Sequence, residues 1–295
     1  MKTGSDTTQI FEQYRGLLFS IAYRMLSSAT DAEDIVQEAF LRWLQNDEKE
    51  VQSPRAYLTT IVVRLCIDQL RSARVQREVY VGPWLPEPLP TEQRQELVST
   101  AELAESLSFA FLTMLENLSP LERAVFLLRE VFEYDYDEIA AIVDKSETNC
   151  RQVLHRARQR LDQRRRRFDV SREQQERITS QFMQAAAGGD IQGLLDLLTD
   201  DIVFTPDGGG KARAGIKPVH GSKKVARGML GALARWFPRD IQMYVQEVNG
   251  QPAIVGYDQG RVFGVVLLDV EGDRVSRIYA VVNPDKLRWF PKLGA

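Results

Sequence analysis

Residues 136–161 read YDEIAAIVDKSETNCRQVLHRARQRL, two short helical patterns with almost nothing between them. In the first, Ile139, Ala140 and Val143 recur at helical spacing and predict one buried face. Asp144-Lys145 is the turn. Ser146 follows as the N-cap of a second helix, its hydroxyl placed to accept a backbone N–H that the first helical turn leaves unpartnered. Cys150, Val153, Leu154 and Ala157 form the inward stripe of that helix, and Thr148, Asn149, Arg151, Gln152 and His155 point outward near its start. A helix-turn-helix presents this part of its second helix to base edges in the major groove of DNA. Arg, Gln and Asn supply paired donors and acceptors for G or A edges, and Thr packs on a thymine methyl. Arg156, Arg158 and Arg160 are better placed for phosphates. A protein-binding bundle with a solvated face shares the local pattern; Cys150 reads as core filler, and His155 serves equally as an ordinary surface residue.

Working outward, Ser119-Pro120-Leu121-Glu122 combines an N-cap, a first-turn proline and a capping-box Glu, and launches LERAVFLLREVF. Residues 101–168 thus read as helical again, with a brief turn before Ser146. Upstream, residues 9–77 read as a compact helical domain. IFEQYRGLLFSIAYRML puts Phe11, Leu18, Ile21, Ala22, Met25 and Leu26 on one stripe. Thr30 with Glu33 reads as a capping box for DAEDIVQEAFLRWLQ, whose apolar repeat is Ile35, Val36, Ala39, Phe40, Trp43 and Leu44. The opposite face carries Asp31, Asp34, Gln37, Glu38 and Arg42. Ser53-Pro54 starts a third helix with Tyr57, Leu58, Ile61, Val62, Leu65 and Leu70 inward, along which Arg64, Arg71, Arg74 and Arg77 accumulate.

Between these helical parts, residues 78–100 form a linker. Pro83, Pro86, Pro88 and Pro90 make VGPWLPEPLP extended and stiff, and strand Trp84 and Leu85 with little local core to join. They are expected to dock on a neighbouring domain or partner. After a further amphipathic helix over 171–189 the periodicity changes. Short runs broken by turn residues, ending with RVFGVVLLDVEGD and RVSRIYAVVN, predict helices plus a curved, mainly antiparallel sheet, with no parallel-sheet signature. In the DGGGK run, Asp207 and Lys211 bracket Gly208, Gly209 and Gly210, which permit positive φ and close backbone approach. Asn283 is placed to cap a terminal helix beginning at Pro284 and carrying Leu287, Trp289 and Phe290.

Composition narrows the function classes. The 295 residues are 44% hydrophobic, enough for real cores, and the net charge of −3 argues against a nonspecific nucleic-acid coat. Charge is local instead: residues 145–167 carry a net +7 and residues 78–122 a net −7. Two cysteines and two histidines leave neither a disulfide scaffold nor zinc spacing, so no metal or cofactor is expected. With no apolar signal core and no membrane span, the chain reads as cytoplasmic.

These motifs, in this order, resemble the extracytoplasmic-function (ECF) class of sigma factors over residues 9–168. DAEDIVQEAFLRWL is similar to that family's core-polymerase-binding helix, SPRAYLTTIVVRLCIDQLRSAR to its helix at the upstream edge of the melted promoter element, and residues 118–161 to its distal-element reader. Thr148-Asn149-Cys150 departs from the family's frequent Gly-Thr-Val. The resemblance implies that Asp34, Gln37, Glu38 and Arg42 meet core RNA polymerase, that the loop 46–53 captures a flipped base, and that Arg64, Arg71 and Arg74 touch strand phosphates. It makes Thr148, Asn149, Arg151, Gln152, His155, Arg156 and Arg158 contacts to promoter DNA. Residues 171–295 resemble the SnoaL-like branch of the cone-shaped α+β fold shared with nuclear transport factor 2 and ketosteroid isomerase. One sigma subgroup carries this extension and is marked by three signatures, found here as Trp84–Leu89, Asp207–Lys211 and Asn283–Leu287. The subgroup lacks an obvious dedicated anti-sigma partner, and its extension is thought to regulate in cis.

The fold expected is thus two all-α domains (1–77 and 101–168), a linker (78–100) and an α+β domain (171–295). Core RNA polymerase and promoter DNA are the implied partners. An interdomain regulatory surface is expected from Trp84, Leu85 and Pro86, from Asp207 through Lys211, and from Asn283, Pro284, Asp285 and Lys286. The rival is an enzyme or small-ligand site in the cone, with Asp207, Tyr244, Tyr257 and His220 as candidate groups and Trp236 and Phe237 as liners; their spacing shows no specific arrangement, so no catalytic residue is assigned. A free-standing repressor would need neither the polymerase-type helix nor the second module.

Overall fold

A computed structural model describes residues 4–45, 51–77, 80–91, 106–162 and 170–293. The chain divides into two units, Met1–Glu78 with Arg94–Arg165 and Val79–Gln93 with Arg166–Ala295. The division cuts across sequence order: the proline segment joins the C-terminal unit and not the helices that flank it.

Among the described residues, the regular elements of the first unit are all helices: α1 Gly4–Leu26, α2 Ala29–Leu44, α3 Pro54–Arg77, α4 Phe109–Leu115, α5 Pro120–Glu130, α6 Tyr136–Val143 and α7 Glu147–Asp162. Local signals set most of the starts. Ser119, Pro120 and Glu122 form the expected capping box of α5, and Ser53 accepts from Ala56 N at the head of α3. Helix α2 corrects the expectation. Its N-cap is Ser28, accepting from Asp31 N at 3.2 Å, and not Thr30. The helix begins earlier because Ala29 and Ala32 are both fully buried. Leu44, expected inward, is 47% exposed.

Residues 4–77 and 106–162 share one core within this unit, bridged by buried cations. Arg24, fully buried, donates from Nε to Ser106 Oγ at 2.8 Å and to Ser20, and stands 5.6 Å from the Phe132 ring centre. Burial presses its guanidinium down to about 9, so it remains a cation at neutral pH. Arg123 donates to the Met25 carbonyl at 2.6 Å and pairs with Glu116 at 3.0 Å. A cation suits the unsatisfied carbonyls at the end of α1. Thr59 and Tyr134 join hydroxyls at 3.0 Å.

In the second unit α8 (Arg172–Ala187), α9 (Ile191–Leu197) and α10 (Ser222–Trp236) accompany one six-stranded sheet. Its strands are β1 Leu198–Asp207, β2 Val219–His220, β3 Gln242–Val248, β4 Gln251–Asp258, β5 Arg261–Glu271 and β6 Arg274–Val281, in the order β2-β1-β6-β5-β4-β3. All neighbours are antiparallel except β1 with β6, a parallel pair that the sequence did not signal. Parallel partners need a long crossover; here α10 and four intervening strands supply it. The α+β expectation is met.

Ile178, Phe182, Leu194, Val225, Ile254, Leu268 and Ile278 form the core between helices and sheet. Because strand side chains alternate, Val255, Val265, Tyr279 and Val281 lie on the other face, and they too are buried. Asp207, paired with Val281, shares that second face. The terminal helix is shorter than expected, a single 3₁₀ turn Pro284–Lys286 capped by Asn283, with Leu287 and Phe290 buried after it.

Candidate functional site

The helix-turn-helix forms as read. Asp144 takes the left-handed conformation at the turn (φ 54°), and Ser146 accepts from Asn149 N at 3.3 Å. Cys150, Val153, Leu154 and Ala157 are buried; in α6 the inward residues are Ile139, Ile142 and Val143, with Ala140 half-buried. Thr148, Asn149, Arg151, Gln152, His155, Arg156 and Arg158 are all exposed. Two of the cations are held. Arg151 pairs with Glu147 at 2.9 Å and stacks 4.5 Å from the Tyr136 ring centre, whose ring also lies 5.1 Å from Arg129. Arg158 pairs with Glu130 at 2.7 Å. Arg160, half-exposed, pairs with the nearly buried Glu122 at 2.6 Å and so joins α7 to α5. His155 lies 3.1 Å from Gln159 Nε2.

On α2, Asp34 and Gln37 are exposed, and Glu38 pairs with Arg42 at 2.8 Å. Trp43 is buried with Nε1 donating to the Thr7 carbonyl at 2.9 Å. The polar face also carries Leu41, 53% exposed, and Leu44. Sequence reading missed Leu41, although its i+7 spacing from Asp34 puts both on one stripe. On α3, Arg64 donates to the carbonyls of Ile142 at 2.9 Å and Ala141 at 3.2 Å, at the C-terminal end of α6. Arg71 is exposed and pairs with Asp68 at 3.2 Å. The Arg74 side chain, most of the loop 46–53 and the 164–167 arginine run lie outside the described residues.

The second unit brings the three signature stretches together around Asp207, which is fully buried. Its Oδ1 accepts from Tyr80 OH at 2.5 Å; its Oδ2 accepts from Leu85 N at 2.9 Å and from Lys286 Nζ at 2.7 Å. Lys286 also donates to the Leu85 carbonyl and stands 4.1 Å from the Trp84 ring centre and 5.0 Å from that of Tyr80. A carboxylate with three donors and an ammonium boxed by two rings satisfy each other without solvent. Burial, and then the bond to Asp207, push the Tyr80 phenol up. Asn283 donates to Tyr80 OH at 3.0 Å, and Lys211 pairs with Asp285. The glycines are required: Gly209 has φ +56° and a Cβ there would overlap the Asn283 amide, while one on Gly208 would lie 2.6 Å from the Ala212 carbonyl.

The proline segment is fixed again at its far end. Leu89 N donates to Asn249 Oδ1 and Asn249 N to the Leu89 carbonyl, both at 2.9 Å, and Pro90 bridges Val248. Leu85 and Leu89 are 1% and 2% exposed. The segment is therefore a strap, tied at Leu85 to the end of β1 and at Leu89 to the β3–β4 turn. Pro86 and Pro88 are buried within it and hold it straight.

The residues of the rival reading are not gathered. Asp207 is consumed as above, and His220 is exposed on β2. Tyr257 is buried and donates to Gln246 at 2.9 Å; Tyr244 lies 6.0 Å from its ring centre and is 41% exposed. Trp236 is 42% exposed and Phe237 packs 4.9 Å from Phe263. Sequence reading missed a buried pair, Asp269 with Tyr279 at 2.9 Å, where desolvation raises the carboxyl to about 7. Among the described residues no cluster suits a metal ion, and no helix is long and apolar enough to cross a membrane.

Comparison with known proteins accounts for both units. Residues 10–75 match the family Sigma-70 region 2, and residues 108–161 match Sigma-70, region 4. The chain is 35% identical over 292 residues to "ECF RNA polymerase sigma factor SigJ" of Mycobacterium tuberculosis, covering 95% of this chain and 93% of the relative. It is 31% identical to "Probable ECF RNA polymerase sigma factor SigI" of the same organism, over 97% of each. The crystal structure of M. tuberculosis SigJ superposes with a TM-score of 0.77 at 33% identity, covering 97% of this chain and 99% of that one.

Proposed function

Because the chain belongs to the ECF RNA polymerase sigma factors, we propose that it binds core polymerase through the outer face of α2, reads the distal promoter element through α7, and is regulated in cis by its C-terminal unit. The observation that carries the reading is α7. Its inner side is wholly apolar and buried, whereas its first two outer turns present Thr148, Asn149, Arg151, Gln152 and His155 to solvent. Arg151, braced by Glu147 and Tyr136, is held in a defined direction, which lowers the entropy lost on meeting a guanine edge. On α2, Asp34, Gln37, Glu38 and Arg42 lie beside the exposed Leu41 and Leu44, a mixture of apolar and charged groups such as protein interfaces use. The factor performs no chemistry of its own and acts in the cytoplasm, beside the polymerase.

Regulation in cis is supported by the strap. The segment that links the two promoter-reading stretches in sequence is anchored at Asp207 and Asn249 of the C-terminal unit, so a change in that unit reaches the linker directly. This device needs no separate anti-sigma protein. Transcription reconstituted from core polymerase, the full chain and a promoter library tests the whole reading. Initiation from a subset of promoters, with base preference altered by Arg151→Ala or Gln152→Ala, is the expected result. No initiation from any promoter, despite a folded protein, overturns it.

A further inference from the structure

Between Asp207 and Asp240 the chain has eight Lys and Arg residues and no acidic residue, in a protein whose net charge is −3. Lys211 is spent on Asp285. Arg213 and Lys217 in the following loop, and Lys223, Lys224, Arg227 and Arg235 on α10, are exposed and make no ion pair with described residues. Several exposed cations elsewhere in the chain are paired with acids, as Arg158 with Glu130 and Arg172 with Glu176. Among the described residues none of these six is paired with an acid.

The geometry of α10 sharpens the point. Val225 and Ala226 are buried, and Met229, Leu230 and Leu233 pack against the core. The opposite side runs Lys224, Gly228, Gly231, Arg235 in steps of three and four, so all four share one stripe. A Cβ on Gly228 or on Gly231 would meet nothing within 4 Å. Packing therefore does not require these glycines, although each costs the helix roughly 0.5–1 kcal/mol relative to alanine. They leave a smooth centre between cationic ends. From Lys224 to Arg235 is about 16 Å along the axis, the axial length of about five phosphates of one duplex strand.

We propose that the outer face of α10, with the loop 211–218 before it, is a second DNA-binding surface that contacts the phosphate backbone of duplex DNA independently of base sequence. It goes beyond the promoter reading of α7 and uses different residues. A protein partner fits less well. Protein interfaces are depleted of charge at their centres and built on aromatic or aliphatic anchors, whereas this stripe has glycine at its centre and cations at both ends. Polyphosphate recognition needs only closely approaching cations, which release counterions on binding.

The test uses the full chain bound to core polymerase on a labelled promoter duplex, titrated with salt. Lys224→Gln with Arg227→Gln is expected to lower the salt slope by about two and weaken binding roughly ten- to thirtyfold at 0.15 M salt, equally for matched and mismatched promoters. Arg151→Ala is expected instead to change the preference among promoters, so failure of the α7 reading is told apart from failure of this one. A photo-crosslinking amino acid at the exposed Ala234 is expected to capture a DNA strand. An unchanged salt slope overturns the proposal, as does a crosslink to a polymerase subunit in place of DNA. Circular dichroism of the double variant separates loss of fold from loss of contact.

Discussion

The ammonium of Lys286 lies 2.7 Å from the Asp207 carboxylate, with neither side chain more than 7% exposed, and 79 residues separate them in the chain. Removing one partner of a buried pair leaves the other charge uncompensated, at a cost of about 3–5 kcal/mol. Lys286→Met should therefore destabilise the second unit and release the strap that Asp207 holds through Leu85 N and Tyr80. The measurement is limited chymotrypsin digestion of the full chain, with cleavage at Tyr80 and Trp84 at least tenfold faster in the variant. Arg288→Ala, which loses only a surface contact to Asp285, should digest like the parent. Equal rates for all three proteins would show that the pair does not secure the strap.

Arg64 holds the carbonyls of Ala141 and Ile142, so a residue assigned to promoter phosphates is occupied inside the helical unit. Arg64→Ala should loosen the contact between α3 and α6 in the free protein. Amide hydrogen exchange along α6 and the following turn should quicken several-fold, while α1 and α2 exchange as before. Unchanged protection in α6 would mean that the two bonds contribute nothing to closure.

Leu41 is the exposed apolar side chain on the face of α2 proposed to meet core polymerase. Leu41→Asp should weaken the complex with core polymerase roughly ten- to hundredfold. Stability should not fall, since the side chain is already half in solvent. Titration of core polymerase against the labelled variant reads the loss, and a parental affinity would move the interface off this face.

Asp269 binds its proton more tightly in the folded chain than a carboxyl does in water, its value raised from 3.8 to about 7 by burial. A raised folded value contributes stability that is complete below the ordinary carboxyl range and is lost as pH rises through about 7. The difference amounts to roughly 4 kcal/mol at most. Asp269→Asn keeps an oxygen to accept from Tyr279 and cannot ionise. Its melting temperature relative to the parent should therefore climb between pH 5 and pH 8. A flat difference across that range would place the carboxyl near its ordinary value.

How legible these features were in the sequence follows the distance over which each acts. The Ser119–Glu122 box, the Ser146 cap and the Asn283-Pro284 turn are interactions within a few residues, and each was readable from its own tetrapeptide. The Thr30 expectation failed because Ser28 offers the same hydroxyl two residues earlier, and the burial of Ala29 and Ala32 decides between them. Trp84 and Leu85 announced that something must cover them. That Asp207 receives Leu85 N across 122 residues is a matter of tertiary contact, which no local pattern encodes. Tyr80 carried no signal at all; it matters only because the turn at Gly209 leaves room for its hydroxyl. The parallel pairing of β1 with β6 escaped for the same reason, since its partners stand more than 70 residues apart.

The strap also sets a timetable for synthesis. Its residues, 80–91, emerge from the ribosome roughly two hundred residues before Lys286, Leu287 and Phe290, which complete the site that receives it. At about 5–20 residues per second that interval is about 10–40 s. Throughout it the first helical stretch is available to fold, while Trp84, Leu85 and Leu89 have no sheet to cover. A nascent chain therefore carries an open linker, and only a finished one can fasten it. Premature termination anywhere before Asn283 would yield both helical stretches without the fastening, so residues 283–290 decide whether the linker is ever tied down.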